Sequence, residues 1–157
     1  MLVKLAKKDI LILTNLRNNA RMSLTRISKR TKVPISTIYD KLRGRLNNII
    51  TKTTALIDFT KLGFNARAKI MIKIDKKDRK EAREYLTRHL NINSVYKINN
   101  GYDLLVEGIF KDIREVEDFI ENLESKYNIK DLKVYYVVED IKRESFLNND
   151  QLLGLII

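Results

Sequence analysis

The hydrophobic pattern of this chain changes period near Asn48, and that change constrains the fold more than any other feature. Before it, apolar residues recur at helical spacing: Ile10, Leu13 and Leu16, then Leu24 and Ile27, then Ile38, Leu42 and Leu46. After it, residues 49–59 are β-branched and read as extended chain. The second half then alternates strand and helix periods. A helical head followed by a mixed body places the chain in the α+β class.

Local signals set the helices of the head. The first runs from about Lys7 to Asn18, with Asp9 in its opening turn, where a carboxylate suits the helix dipole. The second starts at Ser23, a good N-cap. The third follows Lys32-Val33-Pro34, with its cap at Ser36 or the residue before it. Three helices joined by turns of a few residues, the last one basic, have the layout of a helix-turn-helix. Residues 49–59 lie where a wing and a linker strand are expected, and Leu62-Gly63-Phe64 makes a turn.

The body spells β-α-β-β-α-β. Ala68, Ile70, Ile72 and Ile74 alternate with Lys69, Met71 and Lys73, as a half-buried strand requires. Ala82, Tyr85, Leu86 and Leu90 line a helix starting near Asp78. Two strands, residues 94–99 and 102–110, meet through Asn100-Gly101, an Asn-Gly hairpin signal. Ile113, Val116, Ile120, Leu123 and Tyr127 line a second helix, and Leu132, Val134, Tyr136 and Val138 close the pattern. This order is the ferredoxin-like split βαβ arrangement. The expected divisions are a winged helix-turn-helix domain over residues 1–52, a linker strand and hinge over 53–66, a ferredoxin-like domain over 67–143 and a tail over 144–157.

Two helices cover only one face of such a sheet. The other face carries Met71, Leu105, Ile109, Tyr135 and Val137 among Lys69 and Glu107. An exposed apolar patch on a small sheet marks an interface, and a second copy related by two-fold symmetry is its economical cover. The apolar end of the tail, residues 152–157, is expected either to dock between dimers or to fray.

Charge divides the chain in the same way. Residues 1–65 hold fourteen Lys and Arg against three acids, Asp9, Asp40 and Asp58, whereas residues 66–157 hold seventeen of each sign. The whole net charge of +11 therefore sits in the head. Such a field attracts polyanions by releasing their condensed counterions. Composition narrows the remaining classes. With no Cys, disulfides, thiolate zinc sites, iron–sulfur clusters and a cysteine nucleophile are excluded, and a single His makes a Ser-His-Asp site hard to build. No metal or cofactor is expected. No apolar run approaches the roughly 20 residues of a membrane-spanning helix, and charge arrives at Lys4, so a cytoplasmic protein is expected.

Placing Ile38, Leu42 and Leu46 inward turns Ser36, Thr37, Asp40, Arg43 and Gly44 outward, at about 100° per residue, with Tyr39 and Lys41 on the flanks. A recognition helix enters the major groove of duplex DNA with such a face. Arg43 is suited to guanine O6 and N7, Ser36 and Thr37 to bases or phosphate, and Asp40 either to cytosine N4 or to an i,i+3 pair with Arg43. Gly44 reads best as the helix end. Arg26, Lys29, Arg30, Lys41, Arg45 and Lys52 are the candidates for phosphate.

In this order the pieces resemble the Lrp/AsnC family of leucine-responsive and feast/famine transcription regulators, over about residues 5–143. The similarity is carried by Asp9-Ile10-Leu11-Ile12-Leu13-Thr14-Asn15-Leu16, by Arg21, Ile27-Ser28 and Ser36-Thr37-Ile38, and most specifically by Thr54-Ala55-Leu56-Ile57-Asp58 with Leu62-Gly63-Phe64. The segment Gly101-Tyr102-Asp103-Leu104-Leu105 is similar to the hairpin at the family's effector site. The resemblance implies a sequence-specific regulator of transcription that binds duplex DNA as a homodimer or a larger assembly such as a tetramer or octamer. It also implies an amino-acid effector at Asn99, Asn100, Gly101, Tyr102 and Asp103. The family's Thr-Gly-acid-aromatic-Asp is altered here, because its first acid is missing.

Two other readings stay open at this stage. A sequence-tolerant architectural DNA binder would use the same +11. Sirohaem decarboxylases resemble the same layout, but their chemistry draws on a His near the hairpin, and residues 96–102 contain none. His89 lies elsewhere, near a helix C-terminus, where a partly charged imidazole is comfortable.

Overall fold

Residues 5–149 are described by the computed structural model, and they fall into two units. One runs up to Leu56 and takes in the C-terminal stretch from Ile141; the other is Ile57–Asp140. No helix among the described residues is long and apolar enough to cross a membrane.

The first unit holds α1 (Lys7–Asn18), α2 (Leu24–Thr31), α3 (Ile35–Arg43) and a 3₁₀ turn over Arg45–Asn48. At the start of α1 the Asp9 carboxylate reaches back to accept the Ala6 N–H at 2.9 Å, satisfying a donor that has no partner inside the helix. Ser23 caps α2 by accepting the Arg26 N–H, and Lys32 ends that helix with φ +58°. The cap of α3 is Pro34 rather than Ser36 or Ile35. Proline's fixed φ, here −56°, suits a helix entry, and the Pro34 carbonyl accepts the first i,i+4 bond, from Ile38 N–H. Ser36 therefore stands inside the first turn. Ile12, Leu13, Met22, Ile27, Val33, Ile38 and Leu46 form the buried core.

Part of the C-terminal stretch packs onto this unit. Arg17 pairs with Glu144 at 2.5 Å and donates from Nε to the Phe146 carbonyl at 3.2 Å, while the Asn18 amide donates to the Asn148 carbonyl. Leu147 packs against the helical core. The expectation for residues 152–157 lies outside the described residues. Residues 51–58 are exposed and belong to no strand, so the linker strand expected after residue 52 does not form there: no neighbouring strand takes up its backbone groups.

The second unit contains β1 (Ala66–Ile74), α4 (Arg79–Arg88), β2 (Ile92–Lys97), β3 (Leu104–Phe110), α5 (Ile113–Lys126) and β4 (Ile129–Tyr136). The strands form one antiparallel sheet in the order β2-β3-β1-β4. Register pairs Ile70 with Val106 and with Val134, which puts the apolar residues of three strands on one face. There they meet Ala82 and Leu86 of α4 and Val116, Phe119, Ile120 and Leu123 of α5. Phe110 and Phe119 lie ring to ring at 5.4 Å. Gly108 makes that packing possible, since a Cβ there would stand 2.3 Å from the Phe110 ring. The hairpin turn has φ of +64° at Asn100 and +92° at Gly101, the left-handed pair that an Asn-Gly hairpin adopts.

Two apolar positions expected within elements, Leu90 and Val138, fall outside the observed ones. Leu90 is 99% exposed, because α4 stops at Arg88 and the chain turns away through His89. Val138 is 98% exposed, two residues past the end of β4.

Candidate nucleic-acid interface

The short connection between α2 and α3 is built from its own residues. Thr31 donates its hydroxyl to the Ile27 carbonyl at 2.8 Å and accepts the Val33 N–H at 3.4 Å. Val33 is buried beneath the turn. With Ile38 buried and Leu42 packed on the core, α3 presents Ser36, Tyr39, Asp40 and Arg43 as exposed side chains; Thr37 is half-buried. The Arg43 guanidinium stacks over the Tyr39 ring, 5.5 Å from its centroid, and donates to the Tyr39 hydroxyl at 3.1 Å. This i,i+4 contact takes the place of an Asp40–Arg43 pair, which is absent among the described residues. It leaves a planar cation and an aromatic edge side by side on the outer face. Gly44 ends the helix, where a Cβ would come within 3.2 Å of the Asp40 carbonyl oxygen.

The cations chosen from the sequence separate into two kinds. Arg26 and Lys29 on α2 and Lys52 in the extended segment are exposed. Arg30 is exposed too, with its guanidinium 3.4 Å from the Asn15 amide oxygen. Lys41, one-quarter exposed, instead turns inward to Asp9, and Arg45, although 46% exposed, reaches toward it as well. The Lys41 ammonium lies 2.6 Å from one Asp9 oxygen and the Arg45 guanidinium 3.6 Å from the other. Asp9 has no exposed surface at all. Burial alone would raise its pKa, but the Lys41 and Ala6 hydrogen bonds and the two positive charges together hold it below the usual carboxylate range. Sequence reasoning took Asp9 for a dipole partner only. The available signal was its rarity, as one of three acids among fourteen cations in residues 1–65.

In the second unit the expected effector residues divide in the same manner. Asn99, Asn100 and Gly101 are exposed at the hairpin turn. Tyr102 donates its hydroxyl to Asp131 at 2.5 Å, and this bond to a carboxylate raises the phenol's pKa. Asp103 is committed inside the unit: one oxygen accepts the Ile74 N–H at 2.8 Å and the other pairs with Arg79 at 2.9 Å. It ties the hairpin to the end of β1 and the start of α4.

On the sheet face away from the helices, register brings Met71 beside Leu105, Lys69 beside Glu107 and Arg67 beside Ile109. Tyr135 lies opposite Lys69 and is 53% exposed; Met71, Leu105 and Val137 are half-buried, and Ile109 is nearly buried. A cleft of about 620 Å³ opens elsewhere on this unit, lined by Tyr85, Arg88, His89, Leu90, Asn91 and Tyr127. His89 packs edge-on against Tyr85 and Phe119 and accepts the Asn91 N–H through Nδ1 at 3.2 Å. Burial, and then the charge of Lys126, push its pKa down, so the neutral imidazole is favoured rather than the partly charged one expected at a helix end. No group of three or more carboxylate or His side chains among the described residues could hold a metal ion.

Residues 67–147 match the family described as the Lrp/AsnC ligand binding domain. The HTH-type transcriptional regulator FL11 of Pyrococcus horikoshii is 32% identical over 77% of this chain and 81% of that protein. Among solved structures, the transcriptional regulator NMB0573 of Neisseria meningitidis, in complex with L-Met, superposes with a TM-score of 0.82 at 21% identity, over 90% of this chain and 94% of that one. LrpC of B. subtilis superposes with a TM-score of 0.80 at 22% identity, over 89% and 99%. The two superpositions show a shared fold.

Proposed function

This chain belongs to the Lrp/AsnC family, and from that premise we propose that it is a regulator of transcription that binds duplex DNA through α3 as a homodimer or larger assembly. The observation that carries the reading is the outer face of α3. Ser36, Tyr39, Asp40 and Arg43 stand exposed on a helix whose other side is packed, within the first two-fifths of the chain, which holds all of the net charge. In this reading α1, α2 and α3 form the helix-turn-helix, and α3 lies in the major groove with Arg43 on a guanine edge. Arg26, Lys29, Arg30 and Lys52 meet phosphates, which set register without reading sequence. The exposed residues 51–58 supply the wing and linker.

A dimer follows from the apolar sheet face of Met71, Leu105, Ile109, Tyr135 and Val137. It would place two recognition helices on a two-fold site with half-sites about one helical turn apart, or a multiple of that. An amino acid bound at the hairpin turn, where Asn99, Asn100 and Gly101 are open and Tyr102 and Asp103 stand behind them, would modulate the pair by favouring one arrangement of the two copies.

Selection from random duplex DNA at physiological salt, followed by sequencing of what is retained, tests the reading. Enrichment of a two-fold site is the expected result. Retention without enrichment would replace it with the sequence-tolerant architectural role, and no retention would overturn DNA binding altogether.

A further inference from the structure

The ion cluster around Asp9 does more than join two helices. A carboxylate with no exposed surface loses its hydration, and only strong local partners make its charged form tolerable. Asp9 has three: the Ala6 N–H at 2.9 Å, the Lys41 ammonium at 2.6 Å and the Arg45 guanidinium at 3.6 Å. The two cations come from the last turn of α3 and the 3₁₀ turn after it, whereas Asp9 belongs to the first turn of α1. Three stretches of chain therefore meet on one buried charge. Drawing Lys41 away to a phosphate would take from that buried charge its shortest ionic contact, which is unfavourable.

We propose that Asp9 is the positioning residue of the DNA-binding face, an internal stand-in for a phosphate that fixes the C-terminal end of α3 on α1 and withholds Lys41 from the DNA backbone. The proposal rests on the DNA-binding reading and refines it. Of six cations that the sequence offers to phosphate, Lys41 serves the internal geometry instead, so fewer counterions are released on binding than the composition implies. The consequence is discrimination. Sequence-independent attraction is reduced, while the tilt of the helix that reads bases is held constant.

The test is the salt dependence of binding to a mixed-sequence duplex, with folding of each variant checked by circular dichroism. Each phosphate contact contributes about 0.9 to the slope of log K against log salt concentration. Lys41→Met is expected to keep the wild-type slope, since that ammonium makes no phosphate contact. Asp9→Asn, which releases Lys41, is expected to steepen the slope by about 0.9 and to raise affinity at low salt. A merely structural Asp9 would lower stability and leave the slope where it was. A slope lowered by about 0.9 in Lys41→Met, or an unchanged slope in folded Asp9→Asn, overturns the proposal. If either single variant does not fold, the double variant Asp9→Asn with Lys41→Met, which leaves no buried charge unpaired, decides: the wild-type slope is expected, and a slope lowered by about 0.9 overturns the proposal. Wild-type protein that binds no duplex at any salt overturns the DNA-binding reading itself, a different result from either of these.

Discussion

The two units of this chain solve opposite electrostatic problems. The sheet unit carries balanced charge and buries fourteen core residues, so burial of apolar surface can hold it together. Among the described residues the core cluster of the helical unit holds seven, and most of the first two-fifths of the chain, which holds the net +11, lies in this unit, so self-repulsion works against a smaller core. Its polar links gather around few acids: Asp9 with Lys41 and Arg45, and Arg17 with Glu144 of the C-terminal stretch, whereas the sheet unit spreads its own over several, among them Arg67 with Glu107 and Asp140, Arg79 with Asp103 and Lys130 with Asp75. A surface built to attract a polyanion is costly to keep folded before the polyanion arrives. A buried carboxylate is one way of meeting that cost without removing the cations.

The largest effect that separates the units is loss of a core side chain from either. Phe110→Ala in the sheet unit should cost about 3–5 kcal/mol and Ile38→Ala in the helical unit about 2–5 kcal/mol, and the two cores share no residue. Calorimetry of the two variants should therefore show two transitions moving independently. A single transition displaced by both substitutions would make the units one cooperative body and break the contrast.

A smaller effect sharpens the contrast on the functional side. Arg43→Ala should weaken binding to an enriched site by about 1–3 kcal/mol, relax the preference at one base position and leave melting almost unmoved, because Arg43 is exposed. Equal weakening on every sequence would mark Arg43 as a phosphate contact.

The smallest effect belongs to the sheet unit and to pH. The pKa of His89 is lowered on folding, so the unfolded chain takes up the proton first as pH falls. The stabilisation is complete above the unfolded value of about 6.5 and is lost as pH drops through the lower folded value. Denaturant titrations above and below that window should show a shallow loss on the acid side, removed by His89→Phe. Persistence of the loss in that variant would assign it to other groups.

Legibility followed the range of the interactions. The extent of α1, the cap at Ser23, the Asn100-Gly101 turn and the alternation along β1 all rest on neighbours within a few residues, and each could be read from the chain alone. The misplaced ends, at Pro34, Leu90 and Val138, are positions where helix or strand continued to be permitted locally and the chain left for other reasons. Among site residues, the exposure of Ser36, Asp40 and Arg43 follows from helical geometry once Ile38 and Leu42 are inward. The inward turn of Lys41 does not, because helical geometry on α3 says nothing about what α1 presents to it.

What the sequence by itself determined is therefore the list of elements, their order, the division of charge and the outward face of α3, all consequences of period and composition. Only the tertiary structure decided which polar groups are spent inside. Asp9 is separated from Lys41 by thirty-two residues and Asp103 from Ile74 by twenty-nine. No local rule connects such pairs. A buried charge selects its partners from whatever the packed helices and strands bring within about 3 Å, and that selection exists only after the chain has folded.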